Sequence, residues 1–362
     1  MPILLAMSGG IDSTAAALLL QEQGYNLIGC TFRTRYTSDD SLRSAQDLVQ
    51  SLGIAHHIID LDEDFERDIV GYFRSEYMAG RTPNPCVVCN RCIKFGRLLD
   101  EAHRLGCDRI ATGHYARIVS NERGLFLARA KDVHKDQTYF LWQLTEEQLR
   151  QVIFPLGDLT KQEVRDYLAA KGYTELAHKS ESQDICFIKD DYRTFLNLPM
   201  QPGNYINQSG QVVGQHTGYT NYTIGQRKGL GIALGKPAFV TAIDAAHNEV
   251  RVGDYEDLLR NEVQLSHCLF RGDVSRPVMA QIRYRSNPTA ATLSPLPNPT
   301  FPSHGGGLGV SPLSTFPTSP SHGGGLGVSL VSFPSPVWAV TPGQSVVLYQ
   351  DDLLVGGGII ES

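Results

Sequence analysis

Apolar runs of strand length alternate with amphipathic stretches along the first third of the chain. This pattern predicts strands at residues 3–7, 26–32, 55–61 and 108–114, and helices at residues 12–23, 40–52, 62–78 and 93–105. Strands separated by helices of about 10–15 residues favour right-handed crossovers between parallel neighbours. We therefore expect an α/β fold, a doubly wound parallel sheet, over residues 1–194, with further helices after residue 136.

From about residue 195 the apolar runs become shorter, and Gly, Asn and Pro separate them. Strand-like runs lie at residues 211–213, 238–244, 249–252, 262–270, 278–284, 345–349 and 353–360. Such short, evenly punctuated runs are typical of small β-rich domains. They predict a small central mixed β domain over residues 195–259 and a C-terminal β-barrel over residues 260–362.

Residues 286–336 interrupt this pattern. The ten residues PSHGGGLGVS occur twice, at 302–311 and 320–329, in surroundings that are rich in Pro, Ser and Gly and contain no Asp, Glu, Lys or Arg. Two copies are too few for a solenoid, and this composition cannot offset the entropy lost on ordering. We expect a disordered insertion between two barrel strands, with a binding module as the alternative.

Composition and charge narrow the classes of function. The chain has 362 residues, 41% hydrophobic and 19% charged, as in globular proteins of two to three domains. Because no apolar run reaches about 18 residues and no signal peptide is readable, we expect no membrane partner and a cytoplasmic location. The net charge of −6 argues against coating of nucleic acid by bulk charge, although residues 91–150 are locally basic.

The seven cysteines point to chemistry or core packing rather than to structural disulfides. Their number is odd, and without an export signal the default compartment is a reducing one. They are therefore expected to be catalytic, metal-binding or plain core residues.

The first predicted strand is followed by Ser8-Gly9-Gly10-Ile11-Asp12-Ser13, which opens the first helix. Two glycines permit a sharp turn that presents backbone N–H groups to an anion, and the helix N-terminus adds partial positive charge. Asp12 is placed to cap the helix or to reach a metal ion on bound phosphates. The string therefore predicts a phosphate-binding loop, of neither the Walker nor the GxGxxG type.

This string resembles the PP-loop of the ATP pyrophosphatase superfamily. Members of that superfamily typically adenylate a carbonyl oxygen, release pyrophosphate and let a nucleophile displace AMP. The resemblance implies an adenylating enzyme that uses ATP and Mg²⁺, but it does not identify the substrate.

A second candidate for chemistry is the segment GRTPNPCVVCNRCIKF at residues 80–95. Its two prolines are expected to keep the chain extended and non-helical before Cys86. Cys89 is then expected near the start of the next helix, with Arg91 and Lys94 close by. Because a helix N-terminus and cations both lower a thiol pKa, we predict that Cys89 is an activated thiol.

A further cysteine, Cys186, follows in the string SQDICF. Two thiols far apart in sequence can meet in a fold, where one carries sulfur as a persulfide and the other releases it by forming a disulfide. An adenylating loop together with such a pair predicts thiolation of an activated carbonyl.

Together these strings resemble the tRNA-specific 2-thiouridylase family (MnmA/TrmU type) over the whole chain except residues 286–336. The matching strings are SGGIDS at 8–13, GRTPNP–CNR–IKF within 80–95, ATGHYAR at 111–117, KDQTYFL at 135–141, SQDICFI at 182–188, YTIGQRKGLG at 222–231, IRYR at 282–285 and PGQ at 342–344. The resemblance implies an ATP-dependent sulfurtransferase that thiolates C2 of the wobble uridine (position 34) of tRNAs for Lys, Glu and Gln. The base would be flipped out and adenylated, giving 2-thiouridine, AMP and pyrophosphate.

The resemblance also implies roles for single residues. Cys89 would be the nucleophile and Cys186 the persulfide carrier, linked to each other by a disulfide after turnover. ATP would lie against Ala6, Met7, Ser8, Gly9, Gly10, Ile11, Asp12, Ser13, Phe32 and Gly113. The tRNA would contact Asn84, Pro85, Cys86, His114, Lys135, Asp136, Gln137, Tyr284, Arg285 and Gln344. The implied protein partner is a persulfide donor, such as a cysteine desulfurase or a relay carrier.

Cys86 departs from the family pattern, in which many members have Asp after Asn-Pro. Cys86, Cys89 and Cys92 form C-x2-C-x2-C, which with Cys186 could hold an iron–sulfur cluster or zinc. The alternative is one nucleophile with two bystander thiols, and no metal ligand is assigned.

Simpler interpretations stay open for other positions. His114 could be a buried histidine and Lys135 a surface lysine. Residues 225–231 could be a tight hairpin, or could hold backbone phosphate through Arg227 and Lys228. The remaining cysteines, expected to be inert core residues, are Cys30, Cys107 and Cys268.

Two other functions also remain open on the sequence. The first is an ATP-dependent amidoligase acting on a small molecule, which would need neither paired thiols nor a barrel for RNA. The second is a tRNA-binding protein that has lost its activity because of the insertion.

Overall fold

The computed structural model describes residues 1–180, 185–188, 191–198, 200–295 and 328–362. The chain forms two compact units. The first unit comprises Met1–Ile69, Cys86–Phe187 and Asp351–Val355, and the second comprises Val70–Pro85, Ile188–Gln350 and Gly356–Ser362. The finer division at residues 194 and 259 stays a prediction.

Strands and helices of the described residues are numbered in chain order. The strands are β1 (Ile3–Ala6), β2 (Leu27–Arg33), β3 (Ala55–Asp60), β4 (Arg109–Ala111), β5 (Arg117–Asn121), β6 (Gly124–Ala128), β7 (Val152–Ile153), β8 (Gly203–Ile206), β9 (Val212–His216), β10 (Phe239–Asp244), β11 (Glu249–Gly253), β12 (Leu259–Phe270), β13 (Val278–Gln281), β14 (Thr289–Pro295), β15 (Ser329–Trp338), β16 (Ser345–Gln350) and β17 (Leu353–Ile360). The α-helices are α1 (Ile11–Glu22), α2 (Asp39–Ser51), α3 (Asp62–Phe65), α4 (Gly71–Met78), α5 (Pro85–Cys89), α6 (Leu98–Arg104), α7 (Glu146–Arg150), α8 (Lys161–Ala170), α9 (Thr174–Ala177) and α10 (Tyr192–Leu196). Glu66–Val70 and Asn90–Arg97 are π-helical, and Thr138–Phe140, Tyr219–Asn221 and Glu256–Leu258 form 3₁₀ turns.

The first unit is built on a parallel sheet in the order β3-β2-β1-β4-β7. Residues 3–5 of β1 are fully buried, as expected for a central parallel strand that is covered on both faces. Because Leu5 of β1 pairs with Ala111 of β4, the loops that follow these two strands leave the sheet side by side. The predicted α/β fold is confirmed, and this edge of the sheet carries the candidate site.

The helix that follows Pro83 begins earlier than the sequence predicted. Residues 85–104 form one continuous helical run through α5, a π-helical segment and α6, instead of a helix that starts at Ile93. Pro85 occupies the first helical position, where its fixed φ fits and its missing N–H costs no hydrogen bond. Cys89 therefore lies in the second turn of this helix and not at its N-terminus.

A hairpin of β5 and β6 in the first unit was not predicted. Its strands pair antiparallel from Arg117↔Ala128 to Asn121↔Gly124. Strand β6 also pairs with Leu353 and Leu354, the first residues of β17. That pairing joins residues more than 200 positions apart, which no local pattern indicates.

The second unit contains a mixed sheet and a barrel, as predicted. The mixed sheet has the order β10-β11-β8-β9, in which β11 and β8 are parallel and the other pairs antiparallel. Its core is formed by Tyr205, Tyr222, Leu230, Val240, Val250 and Val252. The barrel runs in the order β12-β15-β14-β13-β16-β17 and closes through the antiparallel pair β12–β17.

Part of the predicted disordered insertion is ordered strand. Strand β14 and all but the last two residues of β15 lie inside residues 286–336, and the two strands pair from Thr292↔Ser332 to Pro295↔Ser329. In β15 the side chains of Val331, Phe333 and Val337 are buried, which supplies the apolar area that orders the segment. The first PSHGGGLGVS copy and all but the last two residues of the second lie outside the described residues. Among the described residues, no helix is long and apolar enough to cross a membrane.

Candidate functional site

The turn between β1 and α1 forms an anion-ready loop. Gly9 has a φ of +70°, and the backbone N–H groups of Gly9 and Gly10 donate to no acceptor among the described residues. Ser8 N–H donates to Ser13 Oγ at 3.3 Å, and Ser13 Oγ–H donates to the Gly10 carbonyl at 3.1 Å. These internal bonds hold the turn while its N–H donors stay available for phosphate oxygens.

Two glycines at this loop are required by close packing. A Cβ on Gly9 would lie 2.9 Å from the backbone nitrogen of Ala45, and one on Gly113 would lie 2.8 Å from the carbonyl carbon of Asp12. Gly113, in the loop after β4, therefore lets that loop lie directly against the start of α1. Phe32, at the end of β2, is half-buried.

Lys161 is a residue of this site that the sequence analysis missed. Its ammonium lies 2.8 Å from Asp12 Oδ1 and 3.0 Å from Oδ2, and Tyr115 donates its hydroxyl to the same Oδ1 at 2.9 Å. The Lys161 side chain is only 9% exposed, so its charge is held at the loop. The available signal was the capping box formed by Thr160 and Glu163, which starts α8 with Lys161 as its first residue.

The predicted activation of Cys89 is wrong for this conformation. Cys89 is 8% exposed, and burial raises the pKa of its thiol to about 12, while Lys94 lowers it only in part. Desolvation of the thiolate outweighs the nearby cation. The charges of Cys186, Cys86 and Cys92 also raise the Cys89 pKa, so these thiols lie near that of Cys89.

We expect Cys89 to resist alkylation at pH 8 because, with a pKa of about 12, its thiolate fraction there is about one in ten thousand. Below pH 12 the fraction rises about tenfold for each pH unit, so labelling should accelerate accordingly. Peptide mass spectrometry after timed iodoacetamide treatment measures this, with half-exposed Cys92 as the internal control. Equal labelling rates for Cys89 and Cys92 at pH 8 would contradict the predicted shielding.

Lys94 and His114 line the same group of thiols. Lys94 Nζ lies 3.4 Å from His114 Nε2, and Thr112 Oγ1 lies 2.8 Å from His114 Nδ1. Burial and the Lys94 charge hold the pKa of His114 well below its usual value, so the imidazole is neutral. Lys94 also lowers the pKa values of Cys86, Cys89 and Cys186, whose shared cation it therefore is.

The cysteine cluster does not form a metal site. Among the described residues, no group of three or more His, Cys, Asp or Glu side chains is arranged to hold a metal ion. The structure therefore does not support the iron–sulfur or zinc interpretation of Cys86, Cys89, Cys92 and Cys186. All seven cysteines are free thiols, and Cys30, Cys107 and Cys268 are buried as expected.

Asp136 and Gln137 form hydrogen bonds within the first unit. The Asp136 carboxylate accepts the N–H of Ala130 at 3.0 Å and the hydroxyl of Thr138 at 2.6 Å, and it is almost fully buried. Gln137 Oε1 accepts the N–H of Tyr115 at 2.9 Å. Asp136 and Gln137 thus hold the loop that carries half-buried Lys135, and their predicted contact with tRNA stays a prediction.

In the second unit, Gln344 is engaged with the segment before α5. Its Nε2 donates to the carbonyls of Thr82 at 2.8 Å and Pro83 at 3.1 Å. Asn84, next along this segment, is half-buried, and so is Tyr284 on the barrel, whereas Arg285 is exposed. Gln344 thus has a structural role, since it holds the segment at residues 82–83, in addition to its predicted contact with tRNA.

Three domain families match successive parts of the chain. They are described as the tRNA methyl transferase HUP domain at residues 1–190, the tRNA methyl transferase PRC-barrel domain at residues 194–254 and the aminomethyltransferase beta-barrel domain at residues 325–360. The first alone spans more than half of the chain.

Proteins named tRNA-specific 2-thiouridylase MnmA are similar to the chain from end to end. The protein of Moorella thermoacetica is 42% identical, and the alignment covers 99% of this chain and 99% of that protein. Those of Carboxydothermus hydrogenoformans and Clostridium perfringens are 41% and 39% identical, with 99% of this chain and 97% and 98% of the respective protein covered.

Proposed function

Because the chain belongs to the tRNA-specific 2-thiouridylase family, we propose that it replaces O2 of a tRNA wobble uridine by sulfur, with ATP as the activating substrate. One observation supports this function most strongly. The first unit combines an anion-ready loop at residues 8–13 with a group of thiols, those of Cys86, Cys89 and Cys186, that share the cation of Lys94. A small-molecule amidoligase would have no use for the thiols.

ATP binds through its phosphates to the loop. The N–H groups of Gly9 and Gly10 and the hydroxyl of Ser8 are the donors offered. A magnesium ion on phosphates needs only one or two protein carboxylates, and Asp12 fits that need. When bound, the ion neutralises phosphate charge as pyrophosphate departs. When ATP binds, the Lys161 ammonium leaves Asp12 and contacts the phosphates.

We expect Lys161→Met to weaken ATP binding about tenfold or more, equivalent to about 1.4 kcal/mol, because the cation held 2.8 Å from Asp12 is removed. Calorimetric titration with ATP and Mg²⁺ measures the change. Lys171→Met is the matched control, since Lys171 directly follows α8, the helix that Lys161 begins, but pairs with Glu22 at 2.5 Å. If both variants bind ATP as the wild type does, Lys161 has no part in the site.

In the first chemical step, O2 of the flipped uracil attacks the α-phosphorus of ATP. Pyrophosphate leaves, the uracil N3 gives up its proton, and O2 becomes the bridge to AMP. Cys186 carries a persulfide supplied by a donor protein. Its terminal sulfur attacks C2 and loses its proton, and AMP leaves with the former O2.

The second step frees the sulfur. The Cys89 thiol attacks Sγ of Cys186, the S–S bond to the transferred sulfur breaks, and the Cys89 proton returns to N3. The products are 2-thiouridine and a Cys89–Cys186 disulfide, which a two-electron dithiol reductant opens. Lys94 stabilises negative charge on the sulfurs throughout, in opposition to the burial that raises the pKa values of Cys86 and Cys89.

The proposed function is tested by incubating the purified chain with ATP, Mg²⁺, a persulfide donor and a tRNA that carries an unmodified wobble uridine. Nucleoside mass spectrometry should detect 2-thiouridine in the wild type and in Cys92→Ser, but not in Cys89→Ser. ATP consumption without tRNA modification would favour the amidoligase. Binding of tRNA without any turnover would favour the inactive binding protein.

A further inference from the structure

The loop at residues 225–231 in the second unit, GQRKGLG, has a built framework. Gly225 N–H donates to the Val240 carbonyl at 2.8 Å, and Val240 N–H donates to the Gln226 carbonyl at 2.9 Å. Leu230 is buried, and its carbonyl accepts the hydroxyl of Tyr205 at 2.7 Å. The loop is thus fixed at its start and near its end.

Between these anchors the loop presents unpaired donors. Residues 227–231 donate no backbone N–H to an acceptor among the described residues. Gly229 and Gly231 have φ values of +76° and +70°, and no atom lies within 4 Å of the position that a Cβ on Gly231 would take. These glycines allow the backbone conformation of the loop and leave its surface accessible. The unpaired N–H groups of residues 227–231 can therefore bind an anion.

The loop borders a pocket with one uncompensated cation. The pocket has a volume of about 290 Å³, and Arg227 and Lys236 are its basic lining residues. Lys236 is paired with Asp254 at 2.6 Å, whereas Arg227 has no acidic partner in the described part of the chain. Lys228 is exposed and likewise without an ion pair there.

A barrel turn brings one more cation toward this loop. Arg283 donates to the carbonyls of Ile224 at 3.4 Å and Ala339 at 2.5 Å, so the turn after β13 lies beside the start of the loop. That turn carries Arg285, which is exposed and has no ion pair among the described residues. Although the chain has a net charge of −6, Arg227, Lys228 and Arg285 thus place three cations on neighbouring segments.

We propose that this loop binds a phosphodiester of the tRNA backbone. The ligands are the Arg227 guanidinium and the backbone N–H groups of residues 228–231, with Lys228 and Arg285 flanking them. The proposal rests on the proposed function for the nature of its RNA. It adds a contact outside the catalytic unit, which would fix the tRNA by its backbone and not by its sequence.

The test is the salt dependence of tRNA binding by the double variant Arg227→Ala/Lys228→Ala. The double variant loses the one proposed phosphate contact, so the slope of log K against log salt should flatten by about 0.7 to 0.9. Affinity at 0.1 M salt should fall by a factor of roughly ten to one hundred. The control is Arg43→Gln, which removes one positive charge from an exposed pair with Asp40 in an acidic segment. It should leave affinity and slope at wild-type values.

An unchanged slope and affinity in the double variant would overturn the phosphate site. The proposed function would be unaffected by that result as long as the wild type thiolates tRNA. If the variant lost only affinity for inorganic phosphate and kept that for tRNA, a free anion and not RNA would be the ligand, which also overturns the proposal. Failure of the wild type to bind or thiolate tRNA would instead overturn the proposed function.

Discussion

Cys186→Ser should abolish formation of 2-thiouridine, by at least about a thousandfold, while tRNA-dependent release of pyrophosphate from ATP continues. The serine cannot carry a persulfide, so no sulfur reaches C2. Adenylation depends on the loop at residues 8–13 and the Lys161 ammonium, which the substitution does not touch. Enzymatic pyrophosphate detection and nucleoside mass spectrometry on the same reaction measure both quantities.

The control for this prediction is Cys92→Ser, a change of the same kind in a half-exposed thiol close to Cys89. It should thiolate tRNA at close to the wild-type rate. If Cys186→Ser still forms 2-thiouridine at a comparable rate, Cys186 is not the sulfur carrier. If it loses pyrophosphate release as well, Cys186 acts before or during adenylation and the proposed order of steps is wrong.

Arg81→Met should destabilise the second unit by about 3–5 kcal/mol. Arg81 is 18% exposed and lies 2.8 Å from Glu76 and 2.5 Å from Glu361, which are also largely buried. Removal of the cation leaves two neighbouring carboxylates without compensation. Urea unfolding followed by circular dichroism measures the loss.

The matched control is Arg43→Met, because Arg43 forms an exposed pair with Asp40 at 3.0 Å, and such pairs contribute about 1 kcal/mol at most. Similar unfolding midpoints for Arg81→Met and Arg43→Met would contradict the stabilising role of the buried pair.

Because Gln344 and Arg81 both hold the segment at residues 81–83, we also expect Arg81→Met to slow thiolation at temperatures where it stays folded.

The fold was predictable where its signals are local. The parallel sheet and the loop at residues 8–13 follow from apolar periodicity and from a contiguous string. Strands β14 and β15 were missed because their Pro-, Ser- and Gly-rich surroundings hid a local alternation. Val331 and Phe333 point inward in that alternation, which was the usable signal.

The loop at residues 8–13 was predictable from a contiguous string, and the proximity of Cys89 and Cys186 from their chemistry, but the contact of Lys161 with Asp12 was not. Lys161 reaches Asp12 across 149 positions, and only the sheet brings them together. For Cys89, the sign of the Lys94 effect was right, but burial decided the outcome. Burial depends on the helix beginning at Pro85, and the prolines had suggested an extended segment there.

The central claim is that uracil O2 is adenylated and then leaves with AMP, so the fate of that oxygen is the most direct test. A tRNA with ¹⁸O at O2 of its wobble uridine is incubated with the wild-type protein, ATP, Mg²⁺ and a persulfide donor, and AMP is analysed by mass spectrometry. The account predicts one ¹⁸O atom in AMP for each 2-thiouridine formed, and none in pyrophosphate. Unlabelled AMP alongside newly formed 2-thiouridine would contradict it.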